Sequence, residues 1–394
     1  MTITLSTEEA RRFLVRYHLT PDTIDGVFNR LGAVQYDPLN PVGRNHDLVL
    51  QARVPGYRVD DWQQYAYGKR QAYDAWDKQA CLVPMSDWAR RTVIRERFHA
   101  WHDREVLDEH PEAVSAALTE IDIRGPLSSL EFEDRTRLEG AHSWYGPTRI
   151  KRILRALWVR GVLVTHHRES GRHYYDRAER VVPGEHWSVP ALSEEEYFPW
   201  IVLRRHRAAG LLRPKAEQAI WSVCGDAAIR QATIDRLAED NQLVPVHVGL
   251  KKALYHLPAD TLQLLDQSSI DPRLIFMAPL DNLIWDRRAT KDIFGFEYTW
   301  EVYKRVEDRR WGYYVLPVMY GDRFVARVDC RLEGRTWVVS RWWWEEGFER
   351  DPEVIQALRE AARAFVAYLG AESVQVLDGV DRRTRSALLD AAQG

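Results

Sequence analysis

Residues 148–177 constrain the fold more than any other stretch. Ile150, Ile153, Leu154, Leu157 and Trp158 recur at the i, i+3, i+4, i+7, i+8 spacing of a helix that buries one face. Arg149, Lys151, Arg152 and Arg155 take the remaining surface, and Gly161 supplies the stop. Immediately afterwards Val162-Leu163-Val164-Thr165 and Arg172-His173-Tyr174-Tyr175 flank Glu169-Ser170-Gly171, a hairpin signature. Upstream, Gly125-Pro126-Leu127-Ser128-Ser129 predicts a helix through Leu130 and Phe132. Helix, basic helix and hairpin wing together make a winged helix-turn-helix over residues 124–182. In that arrangement the basic helix enters a DNA groove and the wing, with His173, meets the backbone.

A weaker copy opens the chain. Ser6-Thr7-Glu8-Glu9 is a capping-box pattern, followed by Ala10, Phe13, Leu14 and Tyr17 at helical spacing. Thr20-Pro21 starts a second helix with Ile24, Val27, Phe28 and Leu31 as its stripe and Gly32 as its end. Val34-Gln35-Tyr36-Asp37 then alternates until Pro38, and residues 47–53 are expected to return as a partner strand. On such a strand Gln35 and Asp37 share a face while Val34 and Tyr36 pack inward. Arg44, between the two strands, is a candidate DNA contact.

A third copy spans 193–257, with a capping box at Ser193 and Glu196, Gly210 closing that helix, a helix near 226–240, and a hairpin across 243–248 and 251–256. Its second helix sets Asp235, Glu239 and Asp240 against Arg230 and Arg236, so it reads as a packing unit. Only Lys251 and Lys252 on its wing suit phosphate. From residue 274 the period changes to two, with strands at 313–318, 324–328 and 336–339 separated by turns at Gly321-Asp322 and Gly334. A helix from Pro352 to Leu369, a strand near 373–377 and a short last helix close the chain. The expected class is α+β: about three tandem winged helices (1–120, 121–190, 191–265) and a C-terminal antiparallel β-rich domain with terminal helices (266–394).

Composition sets the outer limits. A chain of 394 residues, 45% hydrophobic and 29% charged, has an ordinary soluble balance and room for several domains. The net charge of −3 does not exclude a nucleic-acid partner, because binding depends on the field at one face. The 16 tryptophans read as bulky packing at helix and sheet interfaces. Three scattered cysteines, Cys81, Cys224 and Cys330, fit reduced thiols and neither a disulfide framework nor a zinc site. No signal peptide or membrane-length apolar run is present, so a cytoplasmic protein working at the bacterial nucleoid is expected. His99, His102 and Asp103, like the His166-His167 pair on the wing, lack the further ligand a metal site needs; no metal or other cofactor is expected. Glycine-rich nucleotide loops and nucleophilic Ser or Cys motifs are also missing, which removes nucleotide-driven and acyl-transfer enzymes.

Several segments, taken in order, resemble the crosslink-repair DNA glycosylases of the YcaQ family. They are Val34-Gln35-Tyr36-Asp37-Pro38-Leu39-Asn40, the stretch from Asp47 to Tyr57, Ala80-Cys81-Leu82-Val83-Pro84, Gly125-Pro126-Leu127-Ser128-Ser129, the stretch from Ala278 to Arg288, and Tyr313-Tyr314-Val315-Leu316-Pro317. The likeness covers about residues 5 to 348. It implies three winged helices in a C-shape, a β-rich portion lining the cleft, and no metal. The family's catalytic Gln-x-Asp falls on Gln35 and Asp37. The chemistry suits these residues. A guanine alkylated at N7 leaves as a neutral base, so no strong general acid is required. A carboxylate can then stabilise charge at C1′ and orient the attacking water, with a Gln amide holding the water or sugar in register. The implied partner is double-stranded DNA carrying alkylated or crosslinked guanine, bound by a monomer.

One departure stands out: the family's His-Glu pair before the Ala that aligns with Ala80 is replaced by Lys78 and Gln79. Trp285, Arg287 and Arg288 fit either a DNA-backbone contact or a structural Trp among surface ion pairs. Asp329 and Arg331 could face a cleft or form a cross-strand pair. Two non-catalytic alternatives stay open, a transcriptional regulator and a protein that binds damage without excising it. Against the regulator, the chain shows no heptad or dimerisation helix to match a two-fold operator.

Overall fold

The computed structural model describes residues 2–97, 106–138, 148–250, 253–266 and 270–392. His99, His102, Asp103, Gly146, Pro147, Lys251 and Lys252 lie outside the described residues. The chain forms two compact units, Gln63–Trp200 and a larger one that joins Met1–Trp62 to Ile201–Gly394. This division cuts the chain differently from the four consecutive stretches drawn from its sequence.

In the larger unit the N-terminal capping box forms: Glu9 N donates to Ser6 Oγ at 3.1 Å and Ser6 N to Glu9 Oε2 at 2.7 Å. The helix Thr7–Leu19 buries Ala10, Phe13, Leu14 and Tyr17, and Ile24–Leu31 follows with Gly32 as its left-handed cap. Before them lies Ile3–Leu5, a strand the periodicity did not reveal. It runs parallel to Leu243–Val248, which in turn pairs antiparallel with Ala253–Pro258. Between Ile201 and this hairpin, Ala227–Glu239 forms as a helix with Asp226 as its N-cap.

A five-stranded sheet follows, in the order Ser373–Val376, Thr336–Trp344, Arg323–Glu333, Val315–Tyr320, Leu274–Phe276. The helix Pro352–Leu369 covers it, with Phe365 set 4.7 Å from Phe276 and 5.1 Å from Trp337 between ring centroids. Aromatic packing of this kind accounts for many of the tryptophans.

The expected strand at 47–53 is instead a helix, Asn45–Gln51. Two causes act together. Asp47 reaches back to the Arg44 amide at 3.3 Å, satisfying one donor at the helix start. All of Asn45 to Leu50 is buried, so the run of apolar residues faces protein on every side and shows no single stripe. Arg53, just beyond, forks onto Asp281 at 2.7 and 2.8 Å with both side chains fully buried, fixing this helix to the segment after Leu274–Phe276.

The smaller unit contains Pro111–Arg124, the basic helix Arg149–Val159, and two hairpins, Ala72–Trp76 with Ala80–Pro84 and Leu163–Glu169 with Arg172–Arg177. The basic helix buries Ile150, Ile153, Leu154, Leu157 and Trp158 as the stripe requires. The second hairpin turns at Ser170 and Gly171, both at positive φ, which matches the twist of the flanking strands. The helix expected after Gly125-Pro126 is not formed. Leu127 exchanges both backbone hydrogen bonds with Tyr175 (3.0 and 2.8 Å), and the Ser128 amide is taken by Glu131 Oε2 at 2.7 Å. Leu127 is spent on the bridge to Tyr175, and Ser128 to Glu131 close a single turn that does not propagate.

Candidate active site

Gln35 and Asp37 lie in the larger unit, immediately after the helix Ile24–Leu31. Only Val34 and Gln35 are strand; Tyr36 and Asp37 have left it. Pro38 explains the exit, because its ring drives the preceding residue extended and offers no N–H for pairing. Asp37 then bends onto its own chain: Leu39 N donates to Asp37 Oδ1 at 2.9 Å, an Asx-type turn. The alternation expected of this segment fails in a second respect, since Val34, Gln35, Tyr36 and Asp37 are all buried.

The segment is fastened from several directions. The Gln35 carbonyl accepts from Asn45 Nδ2 at 2.9 Å, while Asn45 Oδ1 accepts from Leu280 N at the same distance. Asn282 Nδ2 donates to the Ala33 carbonyl at 3.1 Å. Beyond the turn, Leu332 N donates to Pro41 O at 2.6 Å and the Tyr368 hydroxyl to Val42 O at 3.3 Å. Gly43, at φ 91°, sits so close to that hydroxyl that a Cβ would fall 1.8 Å from it; no other residue fits here. Tyr36 stacks on His46 with centroids 4.5 Å apart, and Trp62 meets His46 edge-on at 4.7 Å.

Within this frame Asp37 is 7% exposed and forms no salt bridge among the described residues. Burial pushes its pKa above the ordinary carboxylate value, and the Leu39 amide opposes that only in part. Oδ2 carries no protein hydrogen bond among the described residues, so one oxygen is oriented and the other can take a proton. The neighbouring Asp47 is also raised by burial, to about 6, although Tyr57 Oη and Asp60 N (2.8 Å each) and Arg44 N all donate to it.

Sequence places Tyr314 in an expected strand and in a family-like segment, with no role of its own. Its phenol is 1% exposed, its hydroxyl meets no partner among the described residues, and it feels the Asp37 charge. Burial and that charge hold it protonated, well above its usual range. A buried hydroxyl without a partner is a place that a ligand or water can complete. Such a signal exists only in three dimensions.

The other candidates fall into two groups. Arg44 is held by Asp60 at 3.2 Å, and Arg287 donates to Pro279 O at 2.8 Å beneath Tyr298. Trp285 is buried, its indole N–H bonded to Leu280 O at 3.0 Å. His173 bonds Thr165 Oγ1 at 2.8 Å, stacks on Tyr175, and is kept neutral by burial, its pKa lowered to about 3. These four are built into the fold. Arg288 is the exposed member, and among the described residues it pairs with Asp292 at 3.6 Å. Arg149 pairs with Asp134 at 2.9 Å, Arg155 lies over the Trp158 and Trp76 rings, and Lys151 and Arg152 are half-exposed on the same helix. Lys78 and Gln79 cap the Ala72–Trp76 hairpin, where Asp77 ties the turn to Arg91 at 2.8 Å. Arg331 bonds Glu333 and Ser340, and Asp329 lies opposite Arg341. Among the described residues no group of His, Cys, Asp and Glu could hold a metal ion, and no helix is long and apolar enough to cross a membrane.

Comparison with known proteins places the chain in a family. Residues 28–368 match the family model described as DNA glycosylase AlkZ-like. The fold resembles that of Streptomyces sahachiroi DNA glycosylase AlkZ, with a TM-score of 0.64 at 15% identity, covering 95% of this chain and 100% of that one. The matched span contains Gln35, Asp37 and Tyr314 together with the elements that fix them. The chain belongs to the AlkZ-like family of DNA glycosylases.

Proposed function

We propose that this protein hydrolyses the N-glycosidic bond of N7-alkylated purines in double-stranded DNA, including guanines joined in interstrand crosslinks, as a monofunctional glycosylase. The observation that carries the proposal is Asp37: a buried carboxylate, oriented through one oxygen and compensated by no cation among the described residues. As the C1′–N9 bond breaks, its electron pair neutralises the cationic base and positive charge grows on the sugar. The Asp37 carboxylate faces that charge and accepts a proton from the water that attacks C1′. Gln35, two residues away and fixed through its own backbone to Asn45, holds the water or sugar in register. Because alkylation already labilises the bond, complete extrusion of the base is not obligatory.

The smaller unit contributes grip. Its basic helix and the Leu163–Arg177 hairpin are read as a winged helix whose Arg149, Lys151, Arg152 and Arg155 approach phosphates. Arg288 of the larger unit is read the same way.

Single-turnover incubation with duplexes carrying N7-methylguanine or a nitrogen-mustard crosslink tests the reading. Wild-type protein releases free alkylpurine and leaves an abasic site; Asp37→Ala binds the same duplex and releases none. Undiminished excision by Asp37→Ala removes Asp37 from the mechanism. Binding without release by wild type makes the protein a damage binder.

A further inference from the structure

Residues 301–313 carry an aromatic and cationic surface that the chemistry of Asp37 does not account for. The segment is rigid by construction. The Glu301 carboxylate, 3% exposed, accepts from Trp311 N at 2.8 Å and from Lys304 Nζ at 2.7 Å, pinning one end to the other. Arg309 Nε closes onto Lys304 O at 3.0 Å. Trp311 lies 4.6 Å from the Arg327 guanidinium, which also sits 4.1 Å over Phe296 and bonds Glu345 at 2.9 Å.

What this scaffold displays is unusual. Tyr303 is 71% exposed, Val306 74% and Tyr313 41%. Single exposed apolar residues are common, but three on one braced loop mark a contact surface. Arg305 is engaged by Glu307 and Asp308. Arg309 and Arg310 rest instead on the rings of Tyr313 and Trp311 (5.0 and 4.6 Å) and form no salt bridge among the described residues, Arg309 acting on the Asp329 carboxylate only at longer range. Aromatic faces combined with guanidinium groups that no salt bridge holds match a nucleic acid, whose bases stack and whose phosphates pair.

The loop's place gives that surface a role. It runs directly into the strand Val315–Tyr320, whose partner strand Arg323–Glu333 donates from Leu332 N to Pro41 O, four residues beyond Asp37. Tyr303 and Tyr314, at the two ends of the loop, both feel the Asp37 charge.

Resting on the glycosylase reading of Asp37, we propose that the 301–313 loop enters the duplex beside the damaged nucleotide. Tyr303 stacks on the base next to the lesion, and Arg309 and Arg310 hold the adjoining phosphates. Tyr303 is then a positioning residue, acting on the DNA and not on the reacting atoms.

The test uses the full chain and two duplexes: one with N7-methylguanine and one with a tetrahydrofuran abasic analogue, each with 2-aminopurine beside the lesion. Wild-type binding unstacks the reporter and raises its fluorescence. Tyr303→Ala abolishes the rise on both duplexes and slows excision about tenfold at saturating DNA, with Kd changed less than threefold. Tyr303→Phe keeps the rise and the rate, because the ring and not the hydroxyl is used. The double variant Arg309→Ala with Arg310→Ala weakens binding to both duplexes and lowers the slope of log K against log salt by about 2. Tyr303 is exposed, so an unchanged melting profile is expected and checks that the variant is folded.

A wild-type rise retained in Tyr303→Ala, or no rise with wild type, overturns the proposal. Failure of the Asp37 reading is separable. A wild-type protein that excises nothing refutes the glycosylase reading, while the abasic duplex still decides for or against the loop.

Discussion

Asp37 and Asp281 are both buried acids of the larger unit, yet their surroundings are opposites. Asp281 meets the two ends of the Arg53 guanidinium at 2.7 and 2.8 Å and also accepts from Leu283 N at 2.9 Å. Asp37 has one amide and no cation among the described residues. A charge neutralised at close range holds chain segments together, and breaking such a pair leaves its partner stranded. A charge left uncompensated in a dry place raises its own free energy and is released by taking up a proton. The Arg53–Asp281 fork is therefore architecture, and Asp37 has the surroundings that the proposed general base requires.

The comparison predicts opposite phenotypes. Asp37→Asn is expected to cut single-turnover excision by about 10³-fold, within the range for losing a positioned base. It should leave the protein as stable as before or more so. The sign follows from linkage. The folded-state pKa of Asp37 is raised, so the ionised carboxylate disfavours folding above that pKa, and the effect vanishes below the ordinary value near 4. Denaturant unfolding of both proteins from pH 4 to pH 7 should show the variant gaining on wild type as pH rises. The same shift puts the acid limb of the pH–rate profile above pH 4, because activity is lost as pH falls through the folded pKa. A variant that unfolds, or a limb at or below the ordinary value, breaks the comparison on the Asp37 side.

Asp281→Ala should do the reverse. Stranding a fully buried guanidinium costs about 3–5 kcal/mol, read as a drop in the urea midpoint, while the excision rate per folded molecule stays near wild type. A rate loss larger than the loss of folded protein would show that the fork also sets the reacting geometry.

Both the legible and the illegible parts of this molecule have physical causes. The stripe from Ile150 to Trp158 and the Ser170-Gly171 turn are local, one a 3.6-residue period and the other a matter of φ; sequence reads both directly. Ile3–Leu5 has no local signal, since its partner Leu243–Val248 is more than two hundred residues away. The helix Asn45–Gln51 hides its period because every side of it is buried. Gln35 and Asp37 are proposed through likeness to a family and not through alternation, which Pro38 ends before Asp37. Tyr314 could not be found at all, because an unpartnered buried hydroxyl is a property of packing.

Gln35→Ala tests the space between the two carboxylates. A lost water-positioning amide costs less than a lost base, so excision should slow about 10- to 100-fold with the acid limb unmoved. A shifted limb would mean that the Gln35 side chain sets the ionisation of Asp37.

The smallest effects are expected at the basic helix, where on the proposed reading charge acts on DNA and not on the reaction. Arg149 is partly spent on Asp134 at 2.9 Å, and Arg155 is laid over two tryptophan rings. Lys151 and Arg152 are half-exposed on the same helix, as Arg149 and Arg155 are. Each phosphate contact releases about one counterion, so Lys151→Ala and Arg152→Ala should each lower the slope of log K against log salt by about 1. Affinity for damaged and undamaged duplex should fall together, and the single-turnover rate at saturating DNA should stay put. A rate effect at saturation would carry the reaction's requirements onto this helix and end the proposed separation between grip and chemistry.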